Sequence, residues 1–262
     1  MNDSGGILHS KVIILIGGAG LIGRSFAEAL VGSGGVVVIA DRDYSRAQEV
    51  CVMIRSATKS SNIKVATVDI TSKDSLDALI ENVMNDYGHI DAVVNCAYPR
   101  NKNYGRKADE VEYKDFCENV SMHLGGYFLS TQRFARHFKS QGWGHVINIS
   151  SIYGSVAPRF EMYDNTSMTM AVEYAAIKSA IQHISVYFTR YYKGTKLRFN
   201  CISPGGIYDN QPESFLHRYK NHSQYKGMLD ADDIVGTLIF LLSDLSQYIN
   251  GQNIVVDDGF SL

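Results

Sequence analysis

Short apolar runs recur along the chain at Val12–Ile16, Val36–Ala40, Lys64–Val68, Ala92–Asn95, His145–Ile149, Leu197–Ile202 and Asn253–Val256. Each has the length of a strand, and helix-length segments separate them. Strands alternating with helices imply right-handed crossovers, and therefore a doubly wound α/β fold whose seven parallel strands are covered on both faces. Two longer segments carry a helical period. Glu110–Phe138 places Phe116, Val120, Leu124, Phe128, Thr131, Phe134 and Phe138 on one stripe, and Ala171–Tyr191 does so with Ile177, Ile181, Ile184, Phe188 and Tyr191. Each is expected to be one helix burying that stripe. No solenoid repeat is visible.

Composition narrows the picture. With 262 residues, 45% hydrophobic content and four prolines, the chain can bury a large core, and no linker or composition break divides residues 1–262 into more than one domain. A formal charge of −2 without a Lys/Arg run argues against a nucleic-acid or anionic-membrane surface, so the expected partner is a small molecule. Cys51, Cys96, Cys117 and Cys201 form no Cys-x-x-Cys pair. Neither a zinc site nor a disulfide framework is expected, and reduced cytoplasmic thiols fit better. The stretch MNDSGGILHSK lacks an apolar signal core, and Val12–Ile16 is too short to span a bilayer.

The run Ile13–Gly23 reads IILIGGAGLIG, an apolar strand stopping on glycines before a helical segment at Arg24–Leu30. Gly17 permits the tight turn, Gly20 removes a side chain where a pyrophosphate would approach, and Gly23 lets the helix pack close to its strand. A dinucleotide site in a Rossmann-like domain is the expectation. In open α/β sheets ligands collect beyond the carboxyl ends of the strands. Asp41, ending the second run, stands where an acidic residue accepts the hydroxyls of an adenosine ribose, which favours NAD; Arg42 beside it could admit the 2′-phosphate of NADP. A helix cap is the plain alternative for Asp41 or Asp43. Asp69, after the third run, either contacts adenine or helps start the helix near Thr71.

Three Tyr-x-x-x-Lys matches occur: Tyr98–Lys102, Tyr192–Lys196 and Tyr174–Lys178. Pro99 and Gly194 disturb the first two, so only Tyr174–Lys178 lies inside a periodic helix, where positions i and i+4 share a face. A cation about 4 Å from a phenol in an effective dielectric near about 20 contributes up to about 4 kcal/mol, enough to draw the phenol pKa toward neutrality before desolvation opposes it. Tyr174 is therefore the expected acid/base. Ser150 and Ser151 end the fifth run, where a hydroxyl can hold a substrate oxygen or cap a turn. Pro204, Gly205 and Gly206 end the sixth, suited to backbone contact with a nicotinamide or to an ordinary turn.

These residues, in this order, resemble the short-chain dehydrogenase/reductase family over nearly the whole length. The shared positions are Gly17–Gly23, Asp41, Asp69, Asn95-Cys96-Ala97, Ser151, Tyr174, Lys178 and Pro204-Gly205. The resemblance implies that Tyr174 is the acid/base, Ser151 orients the reacting oxygen, and Lys178 also holds the nicotinamide ribose. It implies a cofactor cleft of Gly17, Gly20, Leu21, Ile22, Gly23, Asp41, Arg42, Asp69, Ile70, Asn95, Ala97, Tyr174, Lys178, Pro204, Gly205 and Ile207, and a homo-oligomer, dimer or tetramer, built on the two long helices.

The chain departs from the family pattern in places. Leu21 replaces a usual glycine, giving a turn like that of the sugar-nucleotide-modifying branch, and Tyr98 follows Asn95-Cys96-Ala97 where a glycine is usual. His123 stands where the family usually carries a relay asparagine. It is either a relay group or a satisfied core histidine, and its place beside the apolar stripe favours the core. Between Ser151 and Tyr174 the segment Ala157–Met170 is longer than usual; Tyr153, Arg159, Glu161, Tyr163, Asp164 and Asn165 there offer aromatic faces and hydrogen bonds to a polar, sugar-related ligand, or simply a solvated loop. With N-C-A-Y-P-R-N and H-L-G-G-Y-F, this insert resembles oxidoreductases of the flagellin-modification protein A type, associated with bacterial surface-sugar biosynthesis. The expected function is an NAD(P)-dependent alcohol or ketone oxidoreductase. Two alternatives remain. A sugar-nucleotide epimerase or dehydratase is disfavoured because only Asp257–Leu262 follow the seventh run, and a non-catalytic dinucleotide sensor is disfavoured by Ser151, Tyr174 and Lys178.

Overall fold

The computed structural model describes residues 6–262; Met1–Gly5, part of the N-terminal stretch read for a signal, lie outside the described residues. Seven parallel strands, β1 (Val12–Ile16), β2 (Val36–Asp41), β3 (Ile63–Thr67), β4 (Ala92–Asn95), β5 (Trp143–Ile149), β6 (Lys196–Pro204) and β7 (Asn253–Val256), form a sheet of order β3-β2-β1-β4-β5-β6-β7. The sequence expectation holds in number, direction and, to within a few residues, boundaries. The order reverses between β1 and β4, so their turns meet at the carboxyl edge, where a ligand crevice opens.

Side chains of β1 alternate between two cores. Ile13 and Leu15 join Phe26, Leu30, Val50, Ile54, Leu238 and Leu241 from α1 (Leu21–Gly32), α2 (Tyr44–Thr58) and α8 (Val235–Leu242). Val12, Ile14 and Ile16 face Leu76, Leu79, Phe134, Phe138, Ile177 and Ile181 from α3 (Lys73–Tyr87), α5 (Gly125–Gln141) and α6 (Val172–Tyr191). Sequence-encoded caps set several helix ends: Asp43 accepts from Arg46 N at the start of α2, Ser72 accepts from Ser75 N at the start of α3, and Gly142 closes α5 at φ 100°.

The expected single helix Glu110–Phe138 is interrupted. A 3₁₀ turn occupies Ala108–Glu110, α4 runs Tyr113–Asn119, and a π-helical turn at Val120–Leu124 leads into α5. The buried face reads Asp115, Asn119, His123, Tyr127, Thr131, Phe134 and Phe138, with four-residue steps from Asp115 to Thr131 that the wider turn accommodates, and Phe128 of the expected stripe is 43% exposed. Apolar spacing missed this because the face nearest the site is polar. At the end of α6, Tyr192 is buried in place of the expected Tyr191, which is 67% exposed.

A third, smaller core lies beyond the carboxyl edge. The insert folds into a 3₁₀ turn at Phe160–Tyr163, whose Met162 and Tyr163 are buried with Tyr153, with Phe215 and Tyr219 of α7 (Glu213–Asn221), and with Phe260. Tyr219 and Phe260 stack at 4.1 Å between ring centroids, and Arg218 donates to Met162 O at 2.8 Å and Asp164 O at 2.6 Å. The insert is thus a packed cap rather than a purely solvated loop, although Glu161, Asp164 and Asn165 remain exposed and Arg159 is half-buried.

Candidate active site

The turn after β1 is built for close approach. Gly17 has φ +76°, and a Cβ there would come within 2.6 Å of Ala97 N, so the turns after β1 and β4 touch. A Cβ at Gly23 would come within 2.7 Å of Gly18 Cα, whereas one at Gly20 would meet only Gly17 O, at 3.3 Å. The first two demands are internal to the protein; the third leaves open space beside the start of α1, where Leu21, Ile22 and Gly23 supply N–H groups free of intrahelical partners. A pyrophosphate fits this cradle.

Asp43 takes the cap of α2, which leaves Asp41 outside the helix. The Asp41 carboxylate accepts from Ala19 N of the glycine turn and from Asp43 N, each at 3.1 Å, and so stands beside the cradle at the end of β2. Asp69 accepts from Thr71 N at 2.9 Å and Thr71 Oγ1 at 2.7 Å, while Ser72 caps α3. The Thr71 bonds, with the nearby Arg42 guanidinium as a lesser cause, hold the Asp69 carboxyl below its usual range. Arg42 is exposed and lies near enough to Asp69 to favour its charged form.

Several expected cleft residues turn inward. Asn95 is 1% exposed; its Nδ2 donates to Asn148 Oδ1, its Oδ1 accepts from Ser130 Oγ, both at 2.7 Å, and its carbonyl accepts from Tyr127 Oη at 2.8 Å. The Ile70 side chain fills the notch left by Gly126. Ile207 pairs with Leu229 beside the first core, and Gly206 N donates to Tyr219 Oη at 2.6 Å. Gly205 N is held by Val256 O at 2.8 Å, while Pro204 ends β6.

Of the three Tyr-x-x-x-Lys matches only Tyr174–Lys178 lies within one helix; Tyr192 is the C-cap of α6 and Lys196 begins β6, while Tyr98–Lys102 lies in the loop after β4. Ser150 is structural: it donates to Lys178 O at 2.8 Å. Ser151 is 5% exposed, accepts from Tyr153 N at 3.2 Å, and bears on the Tyr174 hydroxyl. Lys178 Nζ donates to Ile149 O at 2.9 Å. Burial pushes the Tyr174 phenol up, with Ser151 opposing it. This corrects the expected fall toward neutrality: desolvation dominates at Tyr174, and burial lowers the pKa of Lys178 itself to about 8. His123 is 1% exposed and set against the Tyr98 and Tyr127 rings, each at 5.2 Å, and its Nε2 has no hydrogen-bond partner among the described residues. It is therefore buried without being satisfied. Burial first, and Lys178 second, hold its pKa well below the usual value.

Sequence reasoning missed the aromatic surroundings. Tyr127 lies against Lys178, and Tyr98 touches Tyr174, His123 and Tyr104. The one available signal was Tyr98 itself, standing in place of a glycine. Phe215 and Tyr219, spaced i and i+4, marked α7, but nothing local placed them over the site. Among the described residues no cluster of His, Cys, Asp or Glu could hold a metal, and no helix is long and apolar enough to cross a membrane.

A family described as enoyl-(acyl carrier protein) reductase matches residues 18–261. Post-translational flagellin modification protein A of Campylobacter coli is 39% identical over 257 residues, covering 98% of this chain and 100% of that one. The 7alpha-hydroxysteroid dehydrogenase of Bacteroides fragilis is 27% identical over 97% of this chain and 95% of its own. Among solved structures, a short chain dehydrogenase from Leptospira borgpetersenii with bound NAD+ superposes with a TM-score of 0.82 at 29% identity, covering 97% and 94% of the two chains.

Burial of Lys178 gives a pH signature. Its pKa is lowered from 10.5 to about 8 by folding, so below about pH 8 both states are protonated and the folded state carries the whole desolvation cost. As pH rises from 8 toward 10 the folded protein loses this proton first, and stability rises. We expect Lys178→Met to be more stable than the wild type at pH 7, by up to roughly 3 kcal/mol, with the gap narrowing by pH 10. Urea unfolding at both pH values measures it; an unchanged gap would mean that Lys178 titrates alike in both states.

Proposed function

The chain belongs to the short-chain dehydrogenase/reductase family, and from that membership we propose that it moves a hydride between NAD(H) and a secondary alcohol or ketone of a sugar or nucleotide-sugar, in bacterial surface-glycan (flagellin-modification) biosynthesis. The observation that carries the reading is the assembly of Ser151, Tyr174 and Lys178 at the same sheet edge as the open face of Gly20 and the carboxylate of Asp41. The 39% identity with a flagellin modification protein supports the sugar-related substrate, as do the tyrosine-rich cap and the exposed polar residues of the insert.

When bound, the nicotinamide supplies or accepts the hydride. The protein's own part is positioning and proton transfer. Ser151 Oγ and the Tyr174 hydroxyl hold the reacting oxygen; Tyr174 exchanges the proton; the Lys178 ammonium stabilises the phenolate left behind. His123, neutral and with Nε2 free of a protein partner, receives or returns a proton beyond Lys178. The glycine turn and the start of α1 hold the pyrophosphate, Asp41 the adenosine ribose, and the main chain at Ala97 and Pro204–Ile207 the nicotinamide end. The enzyme works in the cytoplasm, where its free cysteines stay reduced. It forms a homo-oligomer through α5 and α6, on which Phe128, Tyr187 and Tyr191 are 43%, 58% and 67% exposed.

A screen of amino and deoxy sugars and their nucleotide derivatives, followed by NADH absorbance, tests the activity. On the substrate found, Tyr174→Phe should lower turnover by at least about 10²-fold while NADH still binds; near-normal turnover would remove Tyr174 from the chemistry. NAD(H) should bind more tightly than NADP(H), because Asp41 repels a 2′-phosphate, and Asp41→Ala should weaken NAD(H) the more of the two. Equal or tighter NADP(H) binding in the wild type would give Arg42 control of the pocket. Light scattering at micromolar concentration should find an oligomer, and a monomer alone would refute the α5/α6 interface.

A further inference from the structure

Lys178 is 5% exposed, and its ammonium makes one hydrogen bond among the described residues, to Ile149 O at 2.9 Å. An ammonium has three donors, and a buried charge left with so few partners is costly. The groups facing it carry no compensating charge. Cys96, just after β4 and half-buried, and Cys201, buried on β6, carry thiols that desolvation pushes up, the first far up and the second to about 12, so both stay protonated. His123 of the π-helical turn is held neutral by burial, and the phenols of Tyr98, Tyr127 and Tyr174 are all pushed up by it.

What surrounds the cation instead is aromatic. The ring centroids of Tyr98, Tyr127 and Tyr174 lie 5.8, 5.6 and 5.5 Å from Nζ, contributed by the loop after β4, by α5 and by α6. A ring within about 6 Å attracts a cation through its quadrupole, more strongly where water is excluded. Tyr127 is 1% exposed and pinned through its hydroxyl to Asn95 O, and Tyr174 is fixed on the same helix as Lys178. Tyr98, 39% exposed, is the wall that closes the set. It is braced by its hydroxyl against Tyr104 Oη and by edge contacts to His123 and Tyr174 at 5.2 and 5.7 Å.

We propose that Tyr98 is a positioning residue whose ring completes an aromatic cage around the Lys178 ammonium, holding that cation in place beside Tyr174 where no carboxylate does so. A smaller residue in this place would leave the cation two walls. The kinetic consequence of the cage rests on the proposed role of Lys178 in the reaction; the cage itself does not.

The test therefore uses the full chain without cofactor or substrate. Acetic anhydride labelling of Lys178, quantified by mass spectrometry from about pH 6 to 11, gives the titration of this one amine. The proteins compared are the wild type, Tyr98→Phe, Tyr98→Leu and Tyr98→Met, each checked for folding by thermal melting. Tyr98→Phe keeps the ring and should titrate with the wild type. Tyr98→Leu and Tyr98→Met keep an apolar wall without a quadrupole, and their midpoints should fall by about half a unit or more, a loss of about threefold in the preference for the charged form. If Tyr98→Leu fails to fold, the more nearly isosteric Tyr98→Met decides. Midpoints unmoved or raised in the aliphatic variants, or a Tyr98→Phe shift as large as theirs, would overturn the cage. Any of these outcomes leaves the proposed oxidoreductase activity to stand or fall on its own screen.

Discussion

Asn95 ties the middle of this molecule together. At the end of β4 its amide donates to Asn148 of β5 and accepts from Ser130 of α5, while its carbonyl accepts from Tyr127; Asn148 passes the chain on to Ser185 of α6 at 3.0 Å. Four elements are thereby bonded through a short chain of buried polar side chains. An interior so connected is rigid, because any partial opening leaves polar atoms unpaired in a dry place. The proposed site rests on that frame: α6 carries Tyr174 and Lys178, β5 leads into Ser151, and α5 supplies Tyr127.

On this frame the site concentrates one charge among neutral groups. Lys178 sits among protonated thiols, phenols and a neutral imidazole, so the neighbours that lie closest to it bring no charge of their own. Desolvation also raises the Tyr174 phenol. Burial and the Ser151 hydroxyl oppose one another here, and the protonation state of Tyr174 is set by their difference rather than by its spacing from a lysine.

The cap adds a separate level of organisation. Tyr153, Tyr163, Phe215, Tyr219 and Phe260 come from three distant stretches of chain, yet pack as one aromatic core against the site, with Tyr219 also holding Gly206 N. Its tyrosines present both ring faces and hydroxyls, and the Tyr153 hydroxyl is buried without a partner among the described residues.

Elements with strong local signals were legible in the chain alone. The strands are continuous apolar runs because both faces are covered, the glycine turn announces itself by spacing, and Tyr174–Lys178 needs only the helical repeat to share a face. Asp41 and Asp43 could not be told apart locally, since both precede a helix; the structure assigns the cap to Asp43. The π-helical turn, the inward rotation of Asn95, the aromatic walls around Lys178 and the balance of forces on Tyr174 were decided only in three dimensions. Each depends on which groups from remote strands and helices come to lie side by side, and on how completely they exclude water, and neither quantity is a property of any local stretch of sequence.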